Sequence, residues 1–333
     1  MARAPAPMLA SPAGNLPELD GWTLEPKWDG IRVIADATSK AVHLWSRNGI
    51  DKAHQFPEVS EALTKLAREN GTLTLDGELV AIDRAGKPLR FQALQSRGSA
   101  DTATRTAFAA FDILRASGKD LRAMPWTARR EVLESVVAKS VRQLVRRGDS
   151  YPCGSAGAKR LVAAAQRDGW EGLILKRMDA PYSSGQRSPL WRKVKLEHEQ
   201  EFVVGGYTLP TEGADRSHLG ALLVGYFDDD GELRYAGKVG TGYTRATLAL
   251  LGKKLGAIHR AKSPFADAPT RREPTVWVKP TLVAQIRYNE MTRSGILRQP
   301  TFQGLRDDKD AKDVHLEADT SKKSVLEALN CGS

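Results

Sequence analysis

Several residue types and motifs are scarce or missing in this sequence. Cysteine occurs twice in 333 residues, at Cys153 and Cys331, which argues against a disulfide framework or a zinc site and favours a reducing cytosol. No run of 18 apolar residues occurs, so no membrane span and no membrane partner are expected. The six histidines show no ligand spacing, and the absence of a phosphate-cradling glycine loop argues against a conventional ATPase.

The first residues also lack a signal-peptide pattern. Residues 1–17 contain Arg3, several alanines and four prolines, but no continuous apolar core. Proline at this density predicts an extended leader. We therefore expect a leader over residues 1–20 and a cytoplasmic protein.

Positive charge is in excess. The chain has 50 lysines and arginines against 40 acidic residues, a formal net charge of +10. Basic side chains that neutralise phosphates release counterions, so a polyanion such as nucleic acid is the simplest partner. A generic basic surface would give the same charge. At 333 residues the chain is long enough for two domains, each with its own core.

The segment Glu25–Arg32 groups several charged residues just before an apolar strand. Lys27 and Asp29 are two apart, so in an extended segment they face the same side, and Arg32 adds a cation there. Gly30 would let backbone or ligand come close. A lysine held in this way could be a nucleophile if its environment lowers its pKa. A solvated, salt-bridged loop remains the alternative.

Short apolar runs and three helical patterns fill the chain up to residue 200. The predicted strands and helices are Ile31–Asp36, Val42–Ser46, Leu73–Ile82, Ala107–Leu114, Glu171–Lys176 and Trp191–Lys195, with helices over Glu58–Asn70, Trp126–Val145 and Ala158–Arg167. Glu78 is a carboxylate within an apolar strand. Because burying an unpaired charge is costly, we expect Glu78 either to form an ion pair or to bind a ligand. Phe111 is either core or a stacking surface for a base. Lys193 and Lys195 lie on the same face of a strand. Their charges repel each other unless an anion lies between them and the solvent, and a phosphate is the natural candidate.

The composition changes after the charged connector Glu197–Glu201. The remainder contains five β-type runs, over Phe202–Thr208, Leu219–Phe227, Leu233–Val239, Val276–Lys279 and Leu282–Tyr288, and one helical pattern over Thr244–His259. Five short strands and one helix are typical of a small OB-type barrel. The stretch Leu297–Val314 is highly charged and by charge pattern alone would be a solvated tail.

Six segments of the first part, taken in order, resemble the motif series of covalent nucleotidyltransferases, and most of all that of ATP-dependent DNA ligases. They are Lys27–Arg32, Ser46–Gly49, Asp76–Glu78, Phe111–Leu114, Glu171–Lys176 and Trp191–Lys195, and Arg306–Lys309 resembles the last motif of that family. The sequences that flank these motifs, such as Arg187–Trp191 and Leu297–Pro300, are similar to those in the ligase module of bacterial non-homologous end-joining ligases.

The resemblance implies a fold and a division of the chain. The fold class would be α+β, with a nucleotidyltransferase (adenylation) domain of antiparallel sheets and flanking helices, followed by an OB-fold β-barrel. The domains would be a leader over 1–20, the adenylation domain over 21–199, the OB-fold domain over 200–320 and a C-terminal tail over 321–333.

The resemblance also implies the reaction. Lys27 would attack the α-phosphate of ATP to give a lysyl-AMP, AMP would pass to the 5′-phosphate of a nick, and the 3′-hydroxyl would displace it. An ordinary lysine has a pKa near 10.4, so cations such as Lys195 and a bound metal would have to favour the neutral amine. Asp29 would orient Lys27 or hold metal-bound water.

The remaining site residues follow from the same resemblance. Ribose, phosphate and adenine contacts would come from Glu25, Arg32, Arg47, Glu78, Phe111, Lys193 and Lys195. Glu171, with Glu78, would bind Mg²⁺ or Mn²⁺. Arg306 and Lys309 would reach the pyrophosphate when the OB domain closes.

The implied partners are nicked or broken double-stranded DNA and end-joining proteins, and the protein would be a nucleoid-associated monomer. Two alternatives remain open. One is an RNA ligase or a GTP-using capping-type nucleotidyltransferase, which shares the lysine motif. The other is a non-catalytic nucleic-acid-binding protein built on an OB barrel, which would leave the charged residues on apolar strands unexplained.

Overall fold

A computed structural model describes residues 6–13, 18–95, 104–137, 144–168, 170–196, 198–210, 219–267, 273–292, 294–317 and residue 329. The chain divides into two compact units. The first is Met1–Leu196 together with Ala318–Ser333, and the second is Glu197–Glu317.

The first unit contains eleven of the described strands and four of the described α-helices. The strands are β1 (Leu9–Pro12), β2 (Trp22–Lys27), β3 (Ile31–Ala37), β4 (Val42–Ser46), β5 (Leu73–Ile82), β6 (Arg105–Ala116), β7 (Lys119–Asp120), β8 (Val145–Arg147), β9 (Tyr151–Pro152), β10 (Gly172–Arg177) and β11 (Arg187–Lys195). The helices are α1 (Pro57–Asn70), α2 (Phe91–Gln95), α3 (Trp126–Val136) and α4 (Ala156–Arg167), and a 3₁₀ turn lies at Ala53–Gln55.

One sheet of the first unit has the order β4-β3-β5-β6-β7, with β8 pairing β6 in parallel. Alternation along these strands sends one set of side chains into a core with α1 and α3, including Val33, Leu75, Val59 and Leu133. The opposite set therefore carries the charged and aromatic residues of the functional motifs.

The other sheet of the first unit has the order β1-β11-β10-β2-β9. Its apolar face packs against α4 through residues such as Leu24, Leu173 and Leu161. Strand β1 lies parallel to β11, and Met8 just before it is fully buried. The predicted leader thus contains a strand of this sheet.

One of the local predictions for the first unit is wrong. The helix predicted over Trp126–Val145 ends at Val136, and Val145 starts strand β8; residues 138–143 of that prediction lie outside the described part of the chain. The basic residues in this stretch favoured a continuous helix. Pairing of β8 with β6 overrides that local preference.

The second unit consists of β12 (His198–Thr208), β13 (Ala221–Phe227), β14 (Leu233–Val239), β15 (His259–Arg260), β16 (Thr275–Tyr288), β17 (Glu290–Met291), β18 (Leu297–Arg298), β19 (Thr301–Arg306) and the helix α5 (Arg245–Gly256), with a 3₁₀ turn at Ala311–Asp313. Its main sheet has the order β14-β13-β12-β16-β15, with β19 on β16. Leu251 and Leu255 of α5 pack into its core with Phe202 and Val224.

Three expectations for the second unit need correction. The connector was predicted at Glu197–Glu201; its residues 198–201 are the start of β12, where Glu199 and Gln200 are buried, and residue 197 lies outside the described part of the chain. The two strands predicted on either side of Pro280 form one strand, β16, because the register with β12 shifts there and accommodates the proline. The charged stretch Leu297–Val314 contains β18 and β19 and is no solvated tail.

The antiparallel sheets with few helices agree with the predicted α+β class. Among the residues that the structure describes, no helix is long and apolar enough to cross a membrane.

Candidate active site

The site is organised by rows of residues across β2, β10 and β11. Gly172 of β10 lies opposite Lys27 of β2 on one side and opposite Lys195 of β11 on the other. Two residues further, Ile174 lies between Glu25 and Lys193. Because residues two apart share a face of a strand, all four charged side chains lie on the face opposite to the α4 core.

The segment after Lys27 crosses to the other sheet. β2 ends at Lys27 and β3 begins at Ile31, so Arg32 belongs to the second sheet. The expectation that Arg32 extends the face of Lys27 on one strand is therefore wrong. Gly30 makes this crossing possible, because a Cβ there would lie 2.1 Å from the carbonyl oxygen of Leu79.

Lys27 forms an ion pair with Glu171, which directly precedes β10. The two side chains are 22% and 7% exposed. Burial lowers the pKa of Lys27, but the charge and hydrogen bond of Glu171, with the charges of Glu78 and Asp29, outweigh it and raise that pKa above its ordinary value. The protein's own groups thus favour the ammonium. The expectation that cations and a bound metal together favour the neutral amine stays a prediction.

A buried cation lies beneath two aromatic rings. The Lys176 Nζ donates to Glu25 Oε2 at 2.8 Å and to the carbonyl oxygen of Phe111 at 2.9 Å. The same Nζ lies 4.9 Å from the centre of the Phe111 ring and 4.4 Å from that of Trp191. Glu25 Oε1 is buried and has no hydrogen-bond partner among the described residues. The cluster therefore holds an acceptor beside an aromatic surface.

Arg32 is held by a chain of polar contacts. Its guanidinium donates to both oxygens of Asp76 at 3.0 and 2.7 Å. The Tyr182 hydroxyl donates to Asp76 Oδ2 at 2.6 Å and accepts from the backbone N–H of Met8 at 2.9 Å. Burial lowers the pKa of Arg32, but the Asp76 charge and hydrogen bonds outweigh it, so the guanidinium stays charged.

Arg32 also faces the rings of the same cluster. Its Cζ lies 5.3 Å from the centre of the Phe111 ring and 5.8 Å from that of Trp191. Sequence reasoning missed Lys176, Asp76 and Tyr182 as parts of the site. Lys176 and Asp76 lie within the motifs named above. Each is two residues from another residue of its strand, Ile174 and Glu78 respectively, so the period of two could have placed both on the site face. Tyr182 lies in a loop, and no local pattern marked it.

The other predicted residues of the first unit lie nearby or in a neighbouring turn. Glu78 lies opposite Arg32 in the β3–β5 pair, and its charge acts on Lys27 and Arg32. Asp29 Oδ2 accepts from the backbone N–H of Phe91 at 2.9 Å. Arg47 is half-buried in the turn after β4.

The two predicted residues of the second unit are each paired with an acid of that unit. Arg306 donates to both oxygens of Asp308 at 2.8 and 2.7 Å. Burial raises the pKa of Asp308, but the Arg306 charge and hydrogen bonds outweigh it and lower that pKa. Lys309 Nζ donates to Glu201 Oε2 at 3.1 Å.

Two carboxylates near Lys27, Glu171 and Glu78, are the candidate metal ligands. Within the described residues, no three acidic, histidine or cysteine side chains lie together closely enough to hold an ion by themselves. Mg²⁺ is commonly held by one or two carboxylates together with substrate phosphates. Glu171 and Glu78, close to one ammonium, fit that incomplete type of site.

Comparison with known protein families gives two matches. The model described as "ATP dependent DNA ligase domain" matches residues 7–195, and the model described as "ATP dependent DNA ligase C terminal region" matches residues 215–309. The chain belongs to the ATP-dependent DNA ligase family. This confirms the predicted family.

Curated relatives lead to the same family. The chain is 38% identical to the multifunctional non-homologous end joining protein LigD of Pseudomonas aeruginosa over 313 residues, which are 93% of this chain and 36% of that protein. It is 38% identical to LigD of Mycobacterium tuberculosis over 316 residues, 93% of this chain and 39% of that protein. The chain thus spans little more than a third of the length of these relatives.

Two solved structures resemble the fold. A mycobacterial DNA ligase D complexed with ATP and MES matches with a TM-score of 0.69 and 35% identity, covering 96% of this chain and all (100%) of that one. The ligase domain of M. tuberculosis LigD matches with a TM-score of 0.51 and 35% identity, covering 95% of this chain and 100% of that one. The predicted pair of an adenylation domain and an OB-like domain is confirmed.

Proposed function

We propose that this chain seals nicks between a 5′-phosphate and a 3′-hydroxyl in double-stranded DNA through a covalent AMP on Lys27. The observation that carries the proposal is the position of Lys27, which lies opposite Gly172 in a row with Lys195, on the same face as a buried aromatic and cationic cluster. Of the two lysines in that row, Lys27 begins the Lys27–Arg32 motif to which the family resemblance assigns the nucleophile.

Three displacements at phosphorus make up the reaction. Lys27 Nζ loses a proton and attacks the α-phosphorus of ATP, so that an N–P bond forms and the bond to pyrophosphate breaks. An oxygen of the 5′-phosphate then attacks the same phosphorus, and the N–P bond breaks as the lysine regains a proton. Finally the 3′-hydroxyl attacks the 5′-phosphorus, loses its proton and releases AMP.

The adenosine would lie against the Phe111 cluster. Phe111 offers a ring for stacking, and the partnerless Glu25 Oε1 suits the exocyclic amino group of adenine. Arg32, Arg47 and Glu78 would contact the sugar and phosphates. Lys193 and Lys195 would hold the α-phosphate and offset the charge that develops there.

Glu171 and Glu78 would hold Mg²⁺ or Mn²⁺ together with the phosphates. A bound divalent ion would neutralise phosphate charge. Glu171 already pairs with Lys27, so engaging this carboxylate elsewhere would weaken the pair and lower the pKa of Lys27. Asp29 would orient Lys27. Arg306 and Lys309 would act on the pyrophosphate leaving group.

We further propose that the unit Met1–Leu196 with Ala318–Ser333 is the adenylation domain and the unit Glu197–Glu317 the OB-fold domain, and that the protein acts in bacterial end joining as a cytoplasmic, nucleoid-associated monomer. The LigD names of its relatives support the pathway. The net charge of +10 supports a DNA partner.

Sealing of a labelled nick tests this function. Purified protein should join nicked DNA with ATP and a divalent metal, and should join it much more slowly with GTP. Joining of nicked RNA in preference to DNA, or joining only with GTP, would assign the chain to another class of nucleotidyltransferase.

A further inference from the structure

Strand β6 contains a β-bulge at Phe111. In the pairing of β5 with β6, Gly77 lies opposite Ala110 and Asp76 lies opposite Asp112, so Phe111 is an extra residue that has no opposite residue on β5. A bulge bends its strand and changes the direction in which a side chain points. The ring of Phe111 packs against the buried aromatic cluster of the site. The bulge therefore determines where this ring lies.

Asp112, directly after the bulge residue, is held by Arg129 of α3. Arg129 Nε donates to Asp112 Oδ1 at 2.8 Å, and Nη2 donates to Oδ2 at 2.9 Å. Asp112 Oδ1 also accepts from the backbone N–H of Ile113 at 2.9 Å. The side chains of the ion pair are 0% and 1% exposed. Because a bidentate pair has a narrow range of geometries, these contacts fix the backbone on the C-terminal side of the bulge.

The same guanidinium also contacts the loop between β10 and β11. Arg129 Nη1 donates to the carbonyl oxygens of Met124 at 2.6 Å and of Ala180 at 2.9 Å. Arg129 Cζ lies 5.8 Å from the centre of the Tyr182 ring. Arg129 thus connects the bulge in one sheet of the unit with the loop that carries Tyr182, which joins two strands of the other sheet.

Charge gives Arg129 a second connection to the site. Asp76 and Asp112 lie opposite each other on neighbouring strands, and both are buried. Two such anions repel each other unless each has its own cation. Arg32 pairs with Asp76, and Arg129 pairs with Asp112. Loss of Arg129 would therefore leave an unpaired acid next to the one that holds Arg32.

We propose that Arg129 is a positioning residue for the nucleotide, which holds the Phe111 bulge and the Asp76–Arg32 pair in the arrangement that receives adenosine. The proposal rests on the function proposed above, since it assumes that adenosine stacks on Phe111. Arg129 is fully buried, so it acts through Asp112 and the loop of Tyr182. Its loss should weaken binding of ATP and leave the attack by Lys27, which lies on the other sheet, largely unchanged.

Uptake of label from ATP by Lys27, and its reversal by pyrophosphate, test this role in Arg129→Met and Arg129→Lys. The control is Leu63→Ala. Leu63 is fully buried on α1, in a core that does not include Phe111, so its replacement destabilises the unit without changing the bulge. Unfolding in urea gives the stability of each protein, and the kinetics are measured where all of them are folded.

The expected result separates binding from chemistry. Arg129→Met should raise the KM for ATP by about tenfold or more, as expected when a base loses an aromatic stacking contact. The rate at saturating ATP should stay within about threefold of the wild type, and so should the KM for pyrophosphate, which has no base. Arg129→Lys keeps the charge without the bidentate geometry and should give an intermediate KM. Leu63→Ala should lose stability and keep the wild-type KM.

A double variant, Asp112→Leu with Arg129→Met, covers the case in which the single variant does not fold. Replacing a buried ion pair with apolar residues of similar volume often preserves stability. This protein also lacks the bidentate hold on the bulge, so its KM for ATP should rise as well.

Other results overturn the proposal and separate it from the function on which it rests. A wild-type KM for ATP in folded Arg129→Met, or in the double variant, would exclude a positioning role. An equal rise of the KM in Leu63→Ala would also exclude it, because loss of stability alone would then explain the effect. A wild-type protein that takes up no label from ATP would instead contradict the proposed function itself.

Discussion

Lys27 and Glu171 form an ion pair that controls how much of the lysine is a neutral amine. The carboxylate raises the pKa of Lys27. At neutral pH the fraction of Lys27 that is a neutral amine is therefore smaller than for an exposed lysine. Glu171 thus stabilises the resting ammonium and is also the proposed metal contact. Removing the acid's charge should separate these two roles.

Glu171→Gln should therefore make Lys27 more reactive toward a small amine-directed reagent without ATP. Each pH unit by which the pKa falls raises the neutral fraction about tenfold at a fixed pH below the pKa. Labelling of Lys27 is followed by peptide mass spectrometry from pH 7 to 10. The pH at which labelling begins to increase should be lower in the variant than in the wild type. Glu61→Gln, an exposed acid on α1, is the control and should match the wild type. A slower reaction in Glu171→Gln would contradict the assigned cause of the shift.

Tyr182 is the residue through which Asp76, Arg32 and the backbone of Met8 are connected. Tyr182→Phe keeps the ring and removes the hydroxyl that contacts Asp76 and Met8. Since a hydrogen bond to a charged group contributes about 1.5–3 kcal/mol, the free energy of unfolding in urea should fall by about that amount. The KM for ATP should rise as Arg32 loses its support.

Tyr207→Phe is the matched control, because its phenol makes an exposed contact with His259. Its effect on stability should stay within about 0.5 kcal/mol. Equal effects of the two substitutions would mean that the Tyr182 hydroxyl adds nothing beyond an ordinary surface contact.

At the scale of elements, β1 supports the strand that carries Lys193 and Lys195. Pro12 lies opposite Lys193, and the N–H of Ala13 donates to the carbonyl oxygen of Lys193 at 3.0 Å. Met8 packs beneath Tyr182 and Trp191 in the cluster that includes Phe111. The segment predicted as an extended leader thus forms part of the floor of the site.

Met8→Ala should destabilise the protein and slow the uptake of label from ATP. Replacing a buried methionine with alanine lowers the free energy of unfolding by about 2–5 kcal/mol. The space left by the side chain would lie in the cluster that contains Phe111. Met124→Ala, on a side chain that is 36% exposed, should change stability by less than about 0.5 kcal/mol. A Met8→Ala protein with the stability and label uptake of the wild type would contradict the claim that the segment of β1 supports the site.

The elements also show what the sequence could and could not predict. Strands such as Val42–Ser46 and Leu73–Ile82 were predicted with the observed bounds, because alternation and turn residues are local signals. Of the residues predicted from the motifs, the structure brings Lys27, Glu171 and Glu78 close together. The pairing of Lys176 with Glu25 and of Tyr182 with Asp76 could not be predicted, because such contacts depend on strand register and on the path of loops between sheets.

At the scale of the whole molecule, the charge of +10 predicts that DNA binding depends strongly on salt. The logarithm of the binding constant should fall linearly with the logarithm of salt concentration. Four neutralised phosphates would give a loss of roughly 100-fold between 50 and 200 mM salt. Fluorescence anisotropy with a nicked duplex measures this. An affinity that is unchanged across that range would contradict electrostatic binding.

The most direct test of the central claim is the covalent adenylate on Lys27. Pure protein is incubated with α-labelled ATP and Mg²⁺ or Mn²⁺, beside Lys27→Ala and the control Lys65→Ala, which changes an exposed lysine on α1. The account predicts acid-labile label that survives denaturation in the wild type and Lys65→Ala, maps to the peptide with Lys27, and is absent from Lys27→Ala. Label that persists in Lys27→Ala, or that maps to another residue, would contradict the assignment of the nucleophile.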